Sequence, residues 1–315
     1  MKITPFVTLG FLGISVCGAP KTVFADVAYS FTTIAVPGST DTYPTGINDS
    51  GQIVGYYYSA SGGGQGFLDT GGTFTTIDVP GASHTQLFGI NNSGQIVGAF
   101  SDATGTHGFL DSGGVFSTIQ APFTGAGNTL AFGINDAGQI VGQYFEGRSS
   151  YGFVYSGGLF QPIPSVAEAD GINDNGEIVA NDDMDNNVFY ILSSPGAVPQ
   201  PVLYPGEGYY LYAHGINNSG QIVGSTFTSG IPASEDFVYS GGAFTFIFFP
   251  SFDTSFTGIN NSGQVVGCCS FNVGGAFLGT PLAVPEPRTV PVLAGSLVAL
   301  LALARRRKRA PAKLR

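Results

Sequence analysis

Apolar and polar positions alternate in short runs along most of this chain, and the runs return on a steady beat. The beat is clearest in Gly46-Ile47-Asn48-Asp49-Ser50-Gly51-Gln52-Ile53-Val54-Gly55, and close copies begin at Gly89, Gly133, Gly171, Gly215 and Gly258, at steps of 43, 44, 38, 44 and 43 residues. Runs rich in Val, Ile, Thr, Phe and Tyr, bounded by Gly, Asn, Asp and Pro, predict strands rather than helices. Within each copy, Asn leads, polar residues follow and Gly closes, which is the chemistry of a tight hairpin whose last residue takes a left-handed backbone.

Four strands are expected per unit. In the first, Thr45–Asn48 enters the turn, Gln52–Tyr58 leaves it, Gly66–Asp69 follows, and Thr73–Val79 ends the unit before Pro80. A second hairpin is marked by Gly71-Gly72, Gly113-Gly114, Gly157-Gly158 and Gly241-Gly242. The fourth strand reads Phe-x-x-Ile and then Pro, as in Phe74/Ile77/Pro80, Phe116/Ile119/Pro122, Phe160/Ile163/Pro164 and Phe244/Ile247/Pro250. One surplus copy, Phe31–Val36, precedes the first Gly-Ile-Asn, and the last unit stops at Thr280 without one. Four antiparallel strands repeating about every 43 residues predict an all-β, six-bladed β-propeller, its ring closed by Phe31–Val36 as the outermost strand of the sixth blade. A β-helix is the competing architecture, but two hairpins per unit suit a blade better than a coil. The fourth unit is irregular: Glu177 and Ala180 replace the usual Gln and Gly, and only 199–205 is left to serve as its outer strand.

Composition supports a well-filled β-structure, with 43% hydrophobic residues, 26 Phe and 14 Tyr. The net charge of -10 conceals a segregation. Between Asp26 and Ala283, Arg148 is the sole cation against 20 acidic residues, a formal charge of -19. Such a body repels nucleic acid and anionic lipid, since phosphate binding needs clustered Lys and Arg.

Both ends read as addresses. Residues 1–25 form a secretory signal: Lys2 opens it, Phe6–Ala19 is apolar, and Val23-Phe24-Ala25 ends it with small residues at the cleavage positions. The body spans 26–283. The tail, 284–315, runs Val284-Pro285-Glu286-Pro287, then an apolar stretch from Thr289 to Ala304, then Arg305-Arg306-Arg307-Lys308-Arg309. A helix over the apolar stretch reaches about 24 Å, short of a ~30 Å hydrocarbon core unless flanking residues extend it. The basic end is expected to stay cytoplasmic.

This tail resembles the PEP-CTERM sorting signal of exopolysaccharide-producing Gram-negative bacteria. The resemblance implies transient inner-membrane anchoring, removal of the tail by an exosortase-type processing enzyme, and delivery to the outer surface or extracellular matrix. Val284, Pro285, Glu286, Pro287, Arg305, Arg306 and Arg307 would then be sorting residues, as Ala25 is for the signal peptide. The repeated Gly-Ile-Asn-x-x-Gly-Gln-Ile-Val-Gly, followed by Gly-Phe-Leu or Gly-Phe-Val, resembles the bacterial extracellular HAF repeat over about 44–280. His107-Gly108-Phe109 comes nearest to the tripeptide of that name. The resemblance implies location and architecture, and transfers no catalytic residue.

Positions common to every unit are best explained by the blade itself, so specific function is sought where the copies differ. Asn48, Asn91, Asn135, Asn173, Asn217 and Asn260 are expected to cap their turns, with a polar ring near the axis as a second role. The fourth unit gathers Glu168, Asp170, Asp174, Glu177, Asp182, Asp183 and Asp185. Asp182, Asp183 and Asp185 make a weak calcium candidate, because the sixth and twelfth positions of the loop beginning at Asp183 are Val188 and Ser194; no other cofactor is expected. Tyr56, Tyr57 and Tyr58, with Tyr204, Tyr209, Tyr210 and Tyr212, are candidate glycan contacts, since a tyrosine offers a flat apolar face and a polar tip. Cys268-Cys269 is read as two buried thiols, a vicinal disulfide being the alternative. The three histidines are widely spaced, and no catalytic constellation stands out. The function expected is non-enzymatic, structural or adhesive, with extracellular polysaccharide or surface proteins as partners. A lectin-like module, or a glycan-cleaving enzyme using fourth-unit carboxylates, are the alternatives.

Overall fold

Close strand packing around one axis organises the described chain. The computed structural model describes residues 28–282 apart from residues 61 and 124 and segments 183–186, 205–208, 229–230, 248–253 and 270–274, together with Phe6–Val7. The tail from 283 onward, with its sorting residues, and Ala25 lie outside the described residues.

Six antiparallel sheets form the blades of a β-propeller. In blade one the order from the axis outward is Ser39–Ile47, Gln52–Ser59, Gly64–Thr70 and Thr73–Ile77. Blades two to five repeat this order, beginning at His84–Ile90, Ala126–Ile134, Glu168–Ile172 and Tyr209–Ile216. Gln200–Leu203 is the outer strand of the irregular fourth blade, as its position before Tyr204 required. Blade six contributes Thr254–Ile259, Val265–Cys269 and Ala276–Pro281, and its next strand is Tyr29–Ile34 from the start of the body. The closing register runs from Tyr29 opposite Pro281 to Ile34 opposite Ala276. Phe6–Val7 pairs along the outside of this strand. The closing strand starts and ends two residues earlier than Phe31–Val36, because Val36 begins a turn whose carbonyl accepts from the Ser39 N–H and hydroxyl.

The signature does three physical jobs. Its first glycine lets the innermost strands converge: a Cβ at Gly46 would lie 3.3 Å from the Gly89 Cα, and the same squeeze recurs round the circle to Gly258 against Gly46. Its last turn glycine takes φ near +75°, from Gly51 (φ 74) to Gly263 (φ 77), which only glycine adopts without strain. Its asparagine, 3% exposed in every blade, joins neighbouring blades.

Each of these asparagines uses its side chain in two directions. Inward to its own turn, Oδ1 accepts from the backbone N–H four residues on, and Nδ2 donates to the side chain of that residue. Outward, Nδ2 donates to the backbone carbonyl of the next blade's asparagine at 3.0–3.1 Å, from Asn48 to Asn91 and on to Asn260, whose Nδ2 returns to Asn48. Turn capping and the axial ring are thus one arrangement. Glu177 keeps the acceptor, and Asn173 donates to it at 2.7 Å, but it lacks the Nε2 donor that Gln52, Gln95 and Gln264 extend to Thr70, Ser112 and Thr280.

Farther out, the Phe of each third strand fills the space between blades. Phe67, Phe109, Phe153, Phe189 and Phe237 are fully buried, and Phe277 nearly so. Each clusters with residues of an adjacent blade, as Phe153 does with Val97 and Ile119 of blade two.

Removing one link should expose the dependence on the asparagine ring. Asn91→Ala removes four bonds, those donated to the Asn135 carbonyl and Gln95 Oε1 and those accepted from the Gln95 and Ser93 N–H groups, each worth about 0.5–1.5 kcal/mol. Urea unfolding of this variant is expected to show a loss of roughly 3 kcal/mol or more; a midpoint equal to wild type would show that the ring carries no stability.

Candidate functional site

The six innermost strands share a β-bulge just before the signature glycine, where one extra residue stands unpaired in the ladder. Those extra residues are Thr45, Phe88, Phe132, Asp170, His214 and Thr257, four residue types at one level around the axis, all half-buried. A bulge re-aims a side chain without disturbing the sheet. Here variation is concentrated where the shared scaffold leaves a side chain free.

Each sector of the ring has its own chemistry. The threonines donate to neighbouring backbone, Thr45 to the Leu87 carbonyl and Thr257 to the Pro44 carbonyl, both at 2.8 Å. Phe88 and Phe132 meet edge to face with centroids 5.3 Å apart. Next to this apolar sector, Asp170 accepts from Asn181 Nδ2 at 2.7 Å, and the same amide group bridges to blade five by donating to the Ala213 carbonyl and accepting from its N–H. His214 Nε2 lies 3.3 Å from Ser225 Oγ, which lies 3.0 Å from Ser255 Oγ of blade six. Burial holds His214 down at about 4, so the ring is neutral at physiological pH. Burial pushes Asp170 well up, the charge of Glu168 adds to the shift, and the Asn181 bond opposes it.

Asp236 extends this polar sector outward. It stands where blades one to three carry glycine, and its Oδ1 accepts from the Phe256 N–H of blade six at 2.9 Å. Its Oδ2 is the one buried side-chain oxygen or nitrogen among the described residues with no hydrogen-bond partner. Burial raises this acid to about 7 against the opposing bonds from Thr254 and Phe256. Sequence reasoning missed Asp236, although the exchange of Gly for Asp before the conserved Phe237 was a visible signal.

The tyrosines divide. Tyr56 and Tyr58 join Tyr43, which the sequence reading did not select: Tyr43 stacks on Tyr56 at 4.9 Å, and Tyr58 meets both edge-on at 6.0 Å. Tyr57 is buried in the core and hydrogen-bonds Thr76, because alternate residues of a strand face opposite sides. Tyr204 packs edge-on against Phe244 and Phe246. Tyr212 is exposed beside Phe227, Tyr210 is half-buried, and the side chain of Tyr209 lies outside the described residues. Tyr43, Glu168 and Tyr212 hold equivalent places two residues before the bulge, so aromatic and acidic groups share one level around the axis.

The acidic cluster of the fourth blade is not one site. The turn at 173–176 reverses the strand and sends Glu168 and Asp170 to one level and Asp174 to the other end of the axis. There, Asp174 belongs to a second closed ring with Asp49, Asn92, Asp136, Asn218 and Asn261, each backbone N–H donating to the next side chain at 2.7–2.9 Å. Both rings, with the isoleucine of each signature, line an axial cavity of about 70 Å³. Asp182 is half-buried, whereas Asp183 and Asp185 lie outside the described residues. Among the described residues no group of three or more His, Cys, Asp or Glu is placed to hold a metal ion. Cys268 is half-buried rather than fully buried, and the side chain of Cys269 lies outside the described residues.

Comparison with solved structures places the fold among known propellers. A gluconolactonase from Xanthomonas campestris superposes with a TM-score of 0.53 at 10% identity, over 82% of this chain and 91% of its own. YCF48 from Cyanidioschyzon merolae gives 0.47 at 11% identity over 80% and 85%. A fucose-specific lectin from Aleuria aurantia gives 0.44 at 14% identity over 81% and 100%. Enzymes and non-enzymes both occur in this set, and at such identities the likeness shows fold alone. No family model and no curated protein matches the chain.

The buried titratable groups set opposing pH dependences. Asp236 is raised, so its contribution to stability is full below pH ~4 and is lost as pH rises towards and through about 7. His214 is lowered, so its contribution is lost as pH falls from about 6.5 through about 4. Asp236→Asn is therefore expected to melt higher than wild type at pH 8 and close to it at pH 5. Equal melting temperatures at both pH values would show that folding leaves the affinity of this carboxyl for its proton unchanged.

Proposed function

We propose that this chain is an exported propeller, displayed at the cell envelope or in an exopolysaccharide matrix, that works without catalysis as a structural or adhesive module. One observation carries the reading: the signature that dominates the sequence is wholly occupied in holding blades together, with its asparagines consumed by turn and ring bonds. Asp174 and Glu177 are likewise engaged in ring or turn contacts, and Asp170 is held by Asn181. These commitments give the glycan-cleaving reading no support. The acidic body and the Pro-Glu-Pro tail fit a protein sorted through the membrane to a polysaccharide-rich surface.

A lectin-like reading is favoured by a separate observation, the stacked group of Tyr43, Tyr56 and Tyr58. Burial raises the Tyr56 phenol far above its usual range, with Tyr58, Cys268 and Tyr43 adding to the shift. Tyr56 therefore stays neutral across physiological pH.

Replacing Pro285, Glu286 and Pro287 together with alanine is expected to leave the protein in the inner-membrane fraction instead of the surface or matrix fraction. Fractionation and surface labelling read this directly, and an unchanged surface pool would remove the sorting claim.

A further inference from the structure

Away from the axis, a cleft of about 200 Å³ opens where the connection between Gln52–Ser59 and Gly64–Thr70 of blade one meets the first strand of blade two. Gly62, Gly63, Gly64, Gln65 and Asp78 lie on the blade-one side, and Ser83 and His84 on the other. Asp78 draws the first wall together loosely, accepting from Gln65 Nε2 and from the Gly66 N–H, both at 3.3 Å. On the second wall Ser83 Oγ donates to the Ser101 carbonyl at 3.0 Å and sits 3.2 Å from His84 Nδ1. Tyr58 and His84 flank Gly64: a Cβ there would lie 3.4 Å from one ring and 3.7 Å from the other.

The next junction shows what closes such a cleft. Between blades two and three, His107 stands at the place of Gln65, Gln120 at that of Asp78, and Thr106 at that of Gly64. His107 reaches Thr104 Oγ1 and Gln120 Oε1, each at 2.8 Å. Gln120 Nε2 donates to the Gly127 carbonyl at 2.7 Å, and the Thr106 N–H donates to Asn128 Oδ1. Side chains there tie the two blades together. At the first junction three consecutive glycines remove that filling, and a carboxylate, an amide, a hydroxyl and an imidazole are left facing one space.

We propose that this cleft binds a single neutral sugar ring. The carboxylate and amide can take adjacent hydroxyls, with the carboxylate accepting and the amide doing both, while His84 in the wall supplies a flat face for the ring. At about 200 Å³ the space is below the ~300–1,000 Å³ of clefts for larger ligands, which suits one ring. Acidic sugars are excluded on charge, since Asp78 faces the ligand and Arg148 is the only cation of the body. The inference deepens the adhesive reading by naming a ligand class and rests on that reading for its biological setting. The site itself needs only the folded ring.

Saturation-transfer NMR on the purified full chain, with glucose, galactose, mannose and fucose as neutral probes and glucuronate and galacturonate as acidic ones, tests it independently of sorting. Transfer to at least one neutral sugar and to neither uronate is expected. The double variant Gln65→His with Asp78→Gln, which gives this junction the residues of the next, and Gly64→Thr, which fills the cleft, should each weaken binding at least tenfold with an unchanged melting temperature. If a double variant fails to fold, Gly64→Thr alone decides. No transfer to any neutral sugar, equal transfer to uronates, or undiminished binding by folded Gly64→Thr would overturn the assignment.

Discussion

Everything in this molecule depends on one carboxamide placed six times. A side chain that accepts through its oxygen and donates through two N–H groups can cap its own turn and still reach the neighbouring blade, whereas serine has one O–H to donate and an ionised aspartate has none. The bond to the next asparagine runs from Nδ2 to that residue's main-chain carbonyl, so each link ties a side chain of one blade to the backbone of the next. A closed circle of such links has no end from which to fray, and the outer ring of Asp49, Asn92, Asp136, Asp174, Asn218 and Asn261 repeats the circuit with main-chain donors.

That rigidity localises variation. The bulge residue lies between the converging glycine and the core-packed residues, held in place but not prescribed, so the ring carries two threonines, two phenylalanines, an aspartate and a histidine at equivalent points. The apolar sector of blades two and three faces a polar sector running through blades four to six. In that polar sector Asn181 and Asp236 satisfy equivalent main-chain donors, the N–H groups of Ala213 and Phe256, from different strands of the preceding blade. One geometric need has been met twice by unrelated substitutions.

How much of this was legible in the sequence follows the range of each interaction. Blade number, hairpin turns and ring closure could be read because they depend on spacing within or between copies: a surplus strand before Gly46 and a missing one after Ala276 had to be partners. The cross-blade bonds were hidden because their acceptors are main-chain carbonyls, which carry no sequence mark. Tyr57 was misjudged by grouping three neighbouring tyrosines without applying the strand's two-residue period. The acids of the fourth unit looked like one cluster because seven lie close in sequence, yet the chain reverses among them. Tyr43 was overlooked because its partner Tyr56 lies across the hairpin, at a register that the bulge shifts by one.

The closing strand also makes folding a matter of timing. Ser30 meets the Thr280 carbonyl across a sequence separation of 250, among the longest separations this chain allows, and contacts so remote form slowly. The first strand to emerge during synthesis or export has no lasting partner until the last blade has followed it. Through that interval, blade six lacks an edge and Tyr29–Ile34 is an unpaired ribbon open to foreign strands. A chain built this way benefits from being kept unfolded until its far end has arrived, so the architecture that is so stable once closed sets a demand on how the polypeptide is escorted beforehand.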